Sequence, residues 1–362
     1  MKNTKKMFAG LLSLIFLMGA DYYEIIQLPV VTTLAGTGSF GYSDYGMGQF
    51  NLPMGVFSGE DGELYVLDTY NNLIRAISPD GEVQRIAGDI LVMDTMRQPQ
   101  GFYRGGDLEQ ALFNRPISGV RDSEGRIFIA DSANHVIRMI DGDRIYVFAG
   151  GGTEGGEYGH DDAQSIEALF HFPTGLAIDA DGYLYVADTG NNAIRRIDTY
   201  GNVTTVAEDS DLFNMPMGIA VREDGAILVA NTSSHNIIII EDGEARPFAG
   251  RFDSPEPSAG LIDGSPKEAM FNLPMGLAFH GENLIVADSG NHAIRAVLPS
   301  GEVVTIAGNG IADNVNGSLE EALFHFPRGV YVVDDRIIIA DTGNNSIRQI
   351  FLPILPHSPH SP

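Results

Sequence analysis

A unit of about 40 residues recurs six times in this chain of 362, and repetition on that scale decides the architecture before any single residue is weighed. One copy reads FHFPTG from Phe170 to Gly175, then LAIDADG, then YLYVADTGNNAIRRID, then TYGNVTTVAE. Its proline returns at Pro53, Pro116, Pro173, Pro216, Pro274 and Pro327. The aspartate that closes the second apolar run returns at Asp68, Asp131, Asp188, Asp288 and Asp341, with Asn231 in the fourth unit. Each unit holds four short runs rich in β-branched and aromatic residues, bounded by Gly or Asp turns, which is a strand pattern and not a helical one. In the third unit the runs fall at 175–179, 183–188, 193–197 and 202–207, with tight hairpins at Asp181-Gly182 and Tyr200-Gly201. Four antiparallel strands repeated around an axis make a propeller blade. The QALF and EALF-like stretches around Gln110, Glu167, Glu268 and Glu321 read as single helical turns ahead of the proline.

Counting strands also predicts how the ring shuts. The unit at Pro327 has three strands and lacks a fourth, whereas Val30–Gly36 has a fourth-strand pattern with no partners of its own. The expected fold is therefore all-β: a six-bladed β-propeller over residues 30–352, closed by the N-terminal strand completing the last blade. At roughly 150 residues per domain, length alone would suggest two or three domains; the repeat overrules it. Pro247 falls in a fourth strand, an outer edge where a missing amide is tolerated.

Residues 1–20 stand apart. Lys2, Lys5 and Lys6 precede an apolar run from Met7 to Ala20, too short to span a bilayer but suited to a signal peptide cleaved after Ala20. Residues 21–29 form a lead into the ring, and the Pro-rich tail at 353–362 reads as disordered. No other segment is long and apolar enough to be transmembrane, so a secreted or cell-surface location is expected. With 48 acids against 22 bases the chain carries a net charge of -26, which repels phosphate backbones and excludes nucleic acid as a partner. The absence of Cys excludes disulfides, thiolate metal sites and Cys nucleophiles. No G-x-S-x-G elbow, H-E-x-x-H pair or phosphate-binding glycine loop is present.

Five units place an arginine seven residues after the aspartate: Asp68/Arg75, Asp131/Arg138, Asp188/Arg195, Asp288/Arg295 and Asp341/Arg348. The fourth unit has lost both together, carrying Asn231 and Ile238. A hydrogen-bonded ion pair inside each blade explains the joint loss, because removing one partner strands the other. His135, His235 and His292 occupy the turn position where other units have Asn72, Asn192 and Asn345, so this is a hydrogen-bonding turn position. His171 and His325 precede the innermost strand, where the other units carry Asn51, Asn114, Asn214 and Asn272. Those six predict a polar ring at the channel mouth. The second-to-third-strand turns and the inter-blade links share one face, expected to be the binding side, with Tyr103 and Tyr158 on its rim. The link at 209–215 is short and acidic; Glu208, Asp209 and Asp211, beside Asp161 and Asp162, are secondary candidates for a divalent ion.

The units FNLPMG…LYVLDTYNNLIR and FHFPTG…LYVADTGNNAIR resemble NHL repeats, over residues 30 to about 352. The chain is similar to exported bacterial NHL proteins. The same propeller resembles sensor-kinase ectodomains, the lyase domain of peptide-amidating enzymes and, more remotely, gluconolactonase-type hydrolases. The resemblance fixes the fold more than the function; the expected function is a monomeric, non-catalytic scaffold without a cofactor, binding a protein, peptide or cell-surface polymer. The alternative the resemblance implies is a metal-dependent lyase or hydrolase at the channel mouth, using calcium or zinc. An amidating lyase holds zinc near its axis with three His, and two opposed imidazoles do not make that site. A gluconolactonase-type site would bring a Glu to the start of an inner strand, and none flanks the six prolines.

Overall fold

The computed structural model describes residues 29–89, 103–152, 156–252 and 258–352. The expected signal peptide, most of the expected lead and the C-terminal tail lie outside the described residues.

Six antiparallel sheets make the blades, and four of them are built in chain order from the axis outward. In blade three the strands are Pro173–Ile178, Leu184–Asp188, Ala193–Ile197 and Val203–Glu208, within two residues of the sequence expectation. Blade six contributes Pro327–Val333, Arg336–Asp341 and Ser346–Phe351, and its fourth strand is Val30–Ala35, with Thr32 opposite Gln349. The N-terminal strand therefore closes the ring. Two-residue strands at Gly106–Asp107 and Gly317–Ser318 add a fifth, unforeseen rung outside blades two and six. Both come from long links folded back along the blade edge. The turns before the prolines are shorter than a helix: 3-10 turns at Leu108–Gln110 and Ser165–Glu167, and simple hydrogen-bonded turns at Ser265–Glu268 and Ser318–Glu321. Among the described residues no helix is long and apolar enough to cross a membrane.

Second strands such as Leu64–Asp68 are buried at every position. A blade is covered on both faces by its neighbours, so these strands read as continuous apolar runs instead of alternating ones. The core is a set of six clusters between adjacent blades. One of them joins Ala35, Phe50, Val56 and Val66 to Ile338, Ala340 and Ile347, and so welds the chain's two ends. At about 1.5–3 kcal/mol per buried large aliphatic side chain, each seam is a substantial part of the stability. The innermost strands crowd at the axis. A Cβ on Gly55 would strike the Ile117 carbonyl, and one on Gly218 the Met275 carbonyl. Glycine follows the proline by two in five blades for that reason, and Ser118 stands there in blade two.

Candidate functional site

The repeated aspartate sits at the end of a second strand, fully buried, and gathers donors from three directions. In blade three Asp188 accepts from the His171 amide at 2.8 Å, the Asn191 side chain at 2.8 Å and Arg195 Nη1 at 2.8 Å. The other four pairs form as the spacing predicts. Asp68 meets Arg75 at 3.0 Å, Asp131 meets Arg138 at 3.1 Å, Asp288 meets Arg295 at 2.7 Å and Asp341 meets Arg348 at 2.8 Å, all with side chains removed from solvent. Each guanidinium also lies over the repeat's phenylalanine, for example Arg195 at 5.3 Å from the Phe170 ring centroid.

The expected pair is present in all five blades, and the arginine holds further partners beyond it. Three of the five arginines hold a second carboxylate, and it comes from the incoming link and not from the blade. Asp44 reaches Arg75 at 2.5 Å, Asp162 reaches Arg195 at 2.5 Å and Asp263 reaches Arg295 at 2.6 Å. A guanidinium has five donors and the strand aspartate takes only one, so a buried arginine must find further acceptors. It finds them mainly in link carbonyls: Gln49 and Ser43 for Arg75, Leu169 and Asp161 for Arg195, Met270 and Ile262 for Arg295. The arginine is thus a pin for a long loop. Even so, the Nε of Arg75, Arg295 and Arg348 is buried with no hydrogen-bond partner among the described residues. Blade four receives the short link 209–215 and has no such loop to hold. There Asn231 Nδ2 reaches the Leu212 carbonyl at 2.8 Å, and Ile238 fills the arginine's space.

A carboxylate beside a guanidinium is ordinarily held below its usual range. Here burial outweighs the pairing. Desolvation pushes the Asp68 and Asp288 carboxyls up to about 6, against the pull of Arg75 and Arg295 and of the other donors, which still leaves them ionised at neutral pH.

The Asn/His turn position links blades. Its residue is left-handed in every blade, from φ 48° at Asn345 to 59° at His135. Its side chain accepts the amide of the residue just before the next blade's proline: Asn192 Oδ1 from Met215 at 2.8 Å, and His135 Nδ1 from Phe172 at 3.1 Å. His235 and His292 do the same for Leu273 and Phe326, at 3.0 Å each. Asn Oδ1 and neutral imidazole Nδ1 are interchangeable here because both are acceptors at similar reach. Burial lowers the pKa of all three histidines, helped at His135 by His171 and at His292 by His325.

The residues donating these bonds are Leu52, Arg115, Phe172, Met215, Leu273 and Phe326. All six hold φ between 48° and 53°, a conformation that costs a non-glycine residue about 1–2 kcal/mol. Glycine would adopt it freely, yet none of the six positions carries one. Phe172, Met215 and Phe326 are 42%, 48% and 39% exposed. Together the six form a crown on the loop face. Sequence reasoning missed it, because the positions share neither type nor charge; their spacing of one before each proline was the available signal.

The expected polar ring is displaced. Asn51, Asn114, His171, Asn214, Asn272 and His325 do not line the central cavity. The left-handed residue that follows each of them reverses the chain, so they sit one step outside the axis, and their backbone amides are spent on the Asp carboxylate Oδ1 (or Asn231 Oδ1) at 2.7–2.8 Å. The mouth is lined instead by the residue after each proline: Met54, Ile117, Thr174, Met217, Met275 and Arg328. His171 and His325 each face the preceding blade's turn histidine, at 5.6 and 5.7 Å between ring centroids. Tyr158, 65% exposed, stacks on His171 at 4.9 Å, extending the crown beside Phe172. Tyr103 covers the buried Arg138 at 5.2 Å.

The acidic notch is not gathered into a ligand set. Asp209 accepts the Asp211 amide at 2.8 Å in its own turn, and Glu208 lies 3.4 Å from His160. Asp162 bonds Arg195 and both the amide and hydroxyl of Thr205; although burial opposes it, those bonds hold its carboxyl below the usual range. Among the described residues no group of three His, Cys, Asp or Glu is placed to hold a metal ion.

With this geometry in hand, the comparisons are consistent in kind. The Teneurin NHL domain matches residues 47–214, and a further NHL repeat matches 324–350. NHL repeat-containing protein 2 of Gallus gallus is 26% identical over 332 residues, which is 84% of this chain and 39% of that protein. Protein SUPPRESSOR OF QUENCHING 1, chloroplastic, of Arabidopsis thaliana is 31% identical over 154 residues, 41% of this chain and 14% of that protein. The chain thus spans well under half of the curated relatives it matches. A solved structure described as an auxiliary nutrient binding protein from Bacteroides ovatus superimposes with a TM-score of 0.65 at 15% identity, covering 89% of this chain and 76% of that one. The chain is a six-bladed β-propeller built of NHL repeats.

Proposed function

We propose that this chain is an exported, monomeric binding scaffold that engages a protein, peptide or cell-surface polymer through its loop face, with no cofactor and no reaction of its own. The observation that carries the reading is the crown: large side chains retained at six left-handed positions where glycine would be cheaper, several of them exposed and apolar. Strain that survives in every repeat points to use of the side chain. An exposed apolar surface on loops over a rigid ring is where recognition concentrates. The N-terminal run of Lys2 to Ala20 supports export.

The test pairs two faces. Phe172→Ser, Met215→Ser, Phe326→Ser and Tyr158→Ser would be compared with Tyr200→Ser at a hairpin tip of the opposite face, where Tyr200 is 79% exposed. Retention on insoluble cell-envelope polymer is expected to fall about tenfold or more for the combined crown variant and to be unchanged for Tyr200→Ser and by chelator. Retention that survives the crown changes and falls with Tyr200→Ser assigns the wrong face. Export is read from the N-terminus of the mature secreted protein, expected to be Asp21; a retained Met1 overturns that part.

A further inference from the structure

The central cavity, of about 410 Å³, holds no carboxylate among the described residues, although the chain carries 48 acids. Its charged lining residues are two arginines, Arg121 and Arg328. Arg121, at the end of its strand and therefore at the far opening, donates to the Gly59 carbonyl at 3.1 Å and has Glu60 at 3.7 Å. Arg328 is different. It stands at the loop-face mouth, in the ring position that three other blades fill with methionine. It is half-buried and has no carboxylate within 4 Å among the described residues. Its Nη1 meets the Met54 sulfur at 3.5 Å, a weak acceptor, and its Nε is buried with no hydrogen-bond partner. Arg75, Arg121, Arg295 and Arg348 also leave Nε unpartnered, but three of those have a buried aspartate on Nη1 and Arg121 has Glu60 at 3.7 Å, whereas Arg328 has no carboxylate in reach among the described residues. Burial lowers the Arg328 pKa from the ordinary value, the Tyr70 phenol opposing that shift. A second guanidinium without an ion pair among the described residues, that of the crown residue Arg115, lies over the same Tyr70 ring at 5.2 Å.

A desolvated guanidinium without an anion is costly to keep, and blades one, four and five show that methionine fits the position. The geometry points to a carboxylate site at the cavity mouth: Arg328 supplies the planar fork, and Met54, Met217, Met275 and Ile117 receive an apolar body. One guanidinium fork matches one planar carboxylate. Thioether side chains adapt to varied apolar shapes, and the volume falls within the range of small-molecule pockets, roughly 300–1,000 Å³. The ligand class is an organic carboxylate with an apolar body. This site stands whether or not the crown engages a macromolecule.

The test is calorimetric titration of the whole protein with octanoate and its neutral counterpart octanamide, at low and high salt. Octanoate is expected to bind about tenfold or more tightly than octanamide, with the margin shrinking in salt. Acetyl-Leu-Leu with a free carboxylate, against its amide, separates a small acid from a chain terminus bearing the same anchor. Arg328→Met should abolish the carboxylate preference in either series and raise the thermal midpoint of the unliganded protein, because an unpaired charge is removed. Arg328→Lys should keep part of the preference and provides the readout should the methionine variant fold poorly. Crown variants at Phe172 and Phe326 should leave octanoate binding unchanged, so failure of this site and failure of the loop-face reading are distinguishable. Equal affinity for carboxylate and amide in both series, absence of binding by all four probes, or a carboxylate preference that persists in Arg328→Met would overturn the assignment.

Discussion

At the scale of single residues, the seven-residue spacing of Asp and Arg was legible because antiparallel register across a short turn brings those two positions together. The arginines' other partners were not. The phenylalanine under each guanidinium, the link carbonyls it pins and the second carboxylates at Arg75, Arg195 and Arg295 come from elsewhere in the fold, up to 34 residues away for Arg195 and Asp161. The pairing makes a prediction. Asp188→Asn and Arg195→Ile, the fourth blade's own residues, should each destabilise by about 3 kcal/mol, because the partner stays buried and unpaired. The double variant should cost clearly less than the sum, and strict additivity in urea unfolding would sink the pairing. The histidine latches make a second. Folding lowers the pKa of His135, His235 and His292 below the ordinary value near 6.5, so the unfolded chain binds more protons in that window. Their contribution is present above pH 6.5 and is lost as pH falls through the folded-state values, when protonated Nδ1 can no longer accept. A variant carrying Asn at all three should match the parent near pH 7.5 and be the more stable of the two near pH 5. Parallel thermal midpoints across that range would show the latches do not titrate.

At the scale of elements, the strands followed from local pattern, since alternation of apolar runs and Gly or Asp turns is short-range information. The closing strand Val30–Ala35 followed from counting. Removing residues 30–36 should expose the third strand of blade six as an edge and open the seam to blade one, with a fall in thermal midpoint of about 10 °C or more. Shortening the hairpin at Tyr200 should shift it far less, and equal shifts would refute the closure. The innermost strands make a further test. Gly218→Ala places a methyl group against the Met275 carbonyl and should destabilise by about 2 kcal/mol or more. Ser118→Gly, at the equivalent place in blade two, should cost under about 1 kcal/mol. Comparable costs measured by chemical denaturation would mean the glycines are not there for close approach. The added rungs at Gly106–Asp107 and Gly317–Ser318 were not legible, because two-residue strands carry no periodicity of their own.

At the scale of the molecule, what decides recognition is which side chains a closed ring turns toward its axis and its loop face. Reading along the chain put Asn51, His171 and their counterparts at the mouth, and a single left-handed residue before each proline moved them outward and brought Met54, Arg328 and the rest of that ring in. The acidic surplus was plain from composition, yet the described lining of the cavity is free of carboxylates, because the axis is lined by first strands while the acids lie in turns, links and the outer strands. The sequence by itself determined six blades, their strand boundaries, the closing strand and the internal ion pairs, all of which follow from repetition, local periodicity and fixed register. Tertiary structure alone decided the crown, the latches between blades, the loop-pinning role of the arginines with their second carboxylates, and the isolation of Arg328. Each of these depends on contacts between neighbouring blades or with the links that join them, and one repeat does not specify how the next will pack against it.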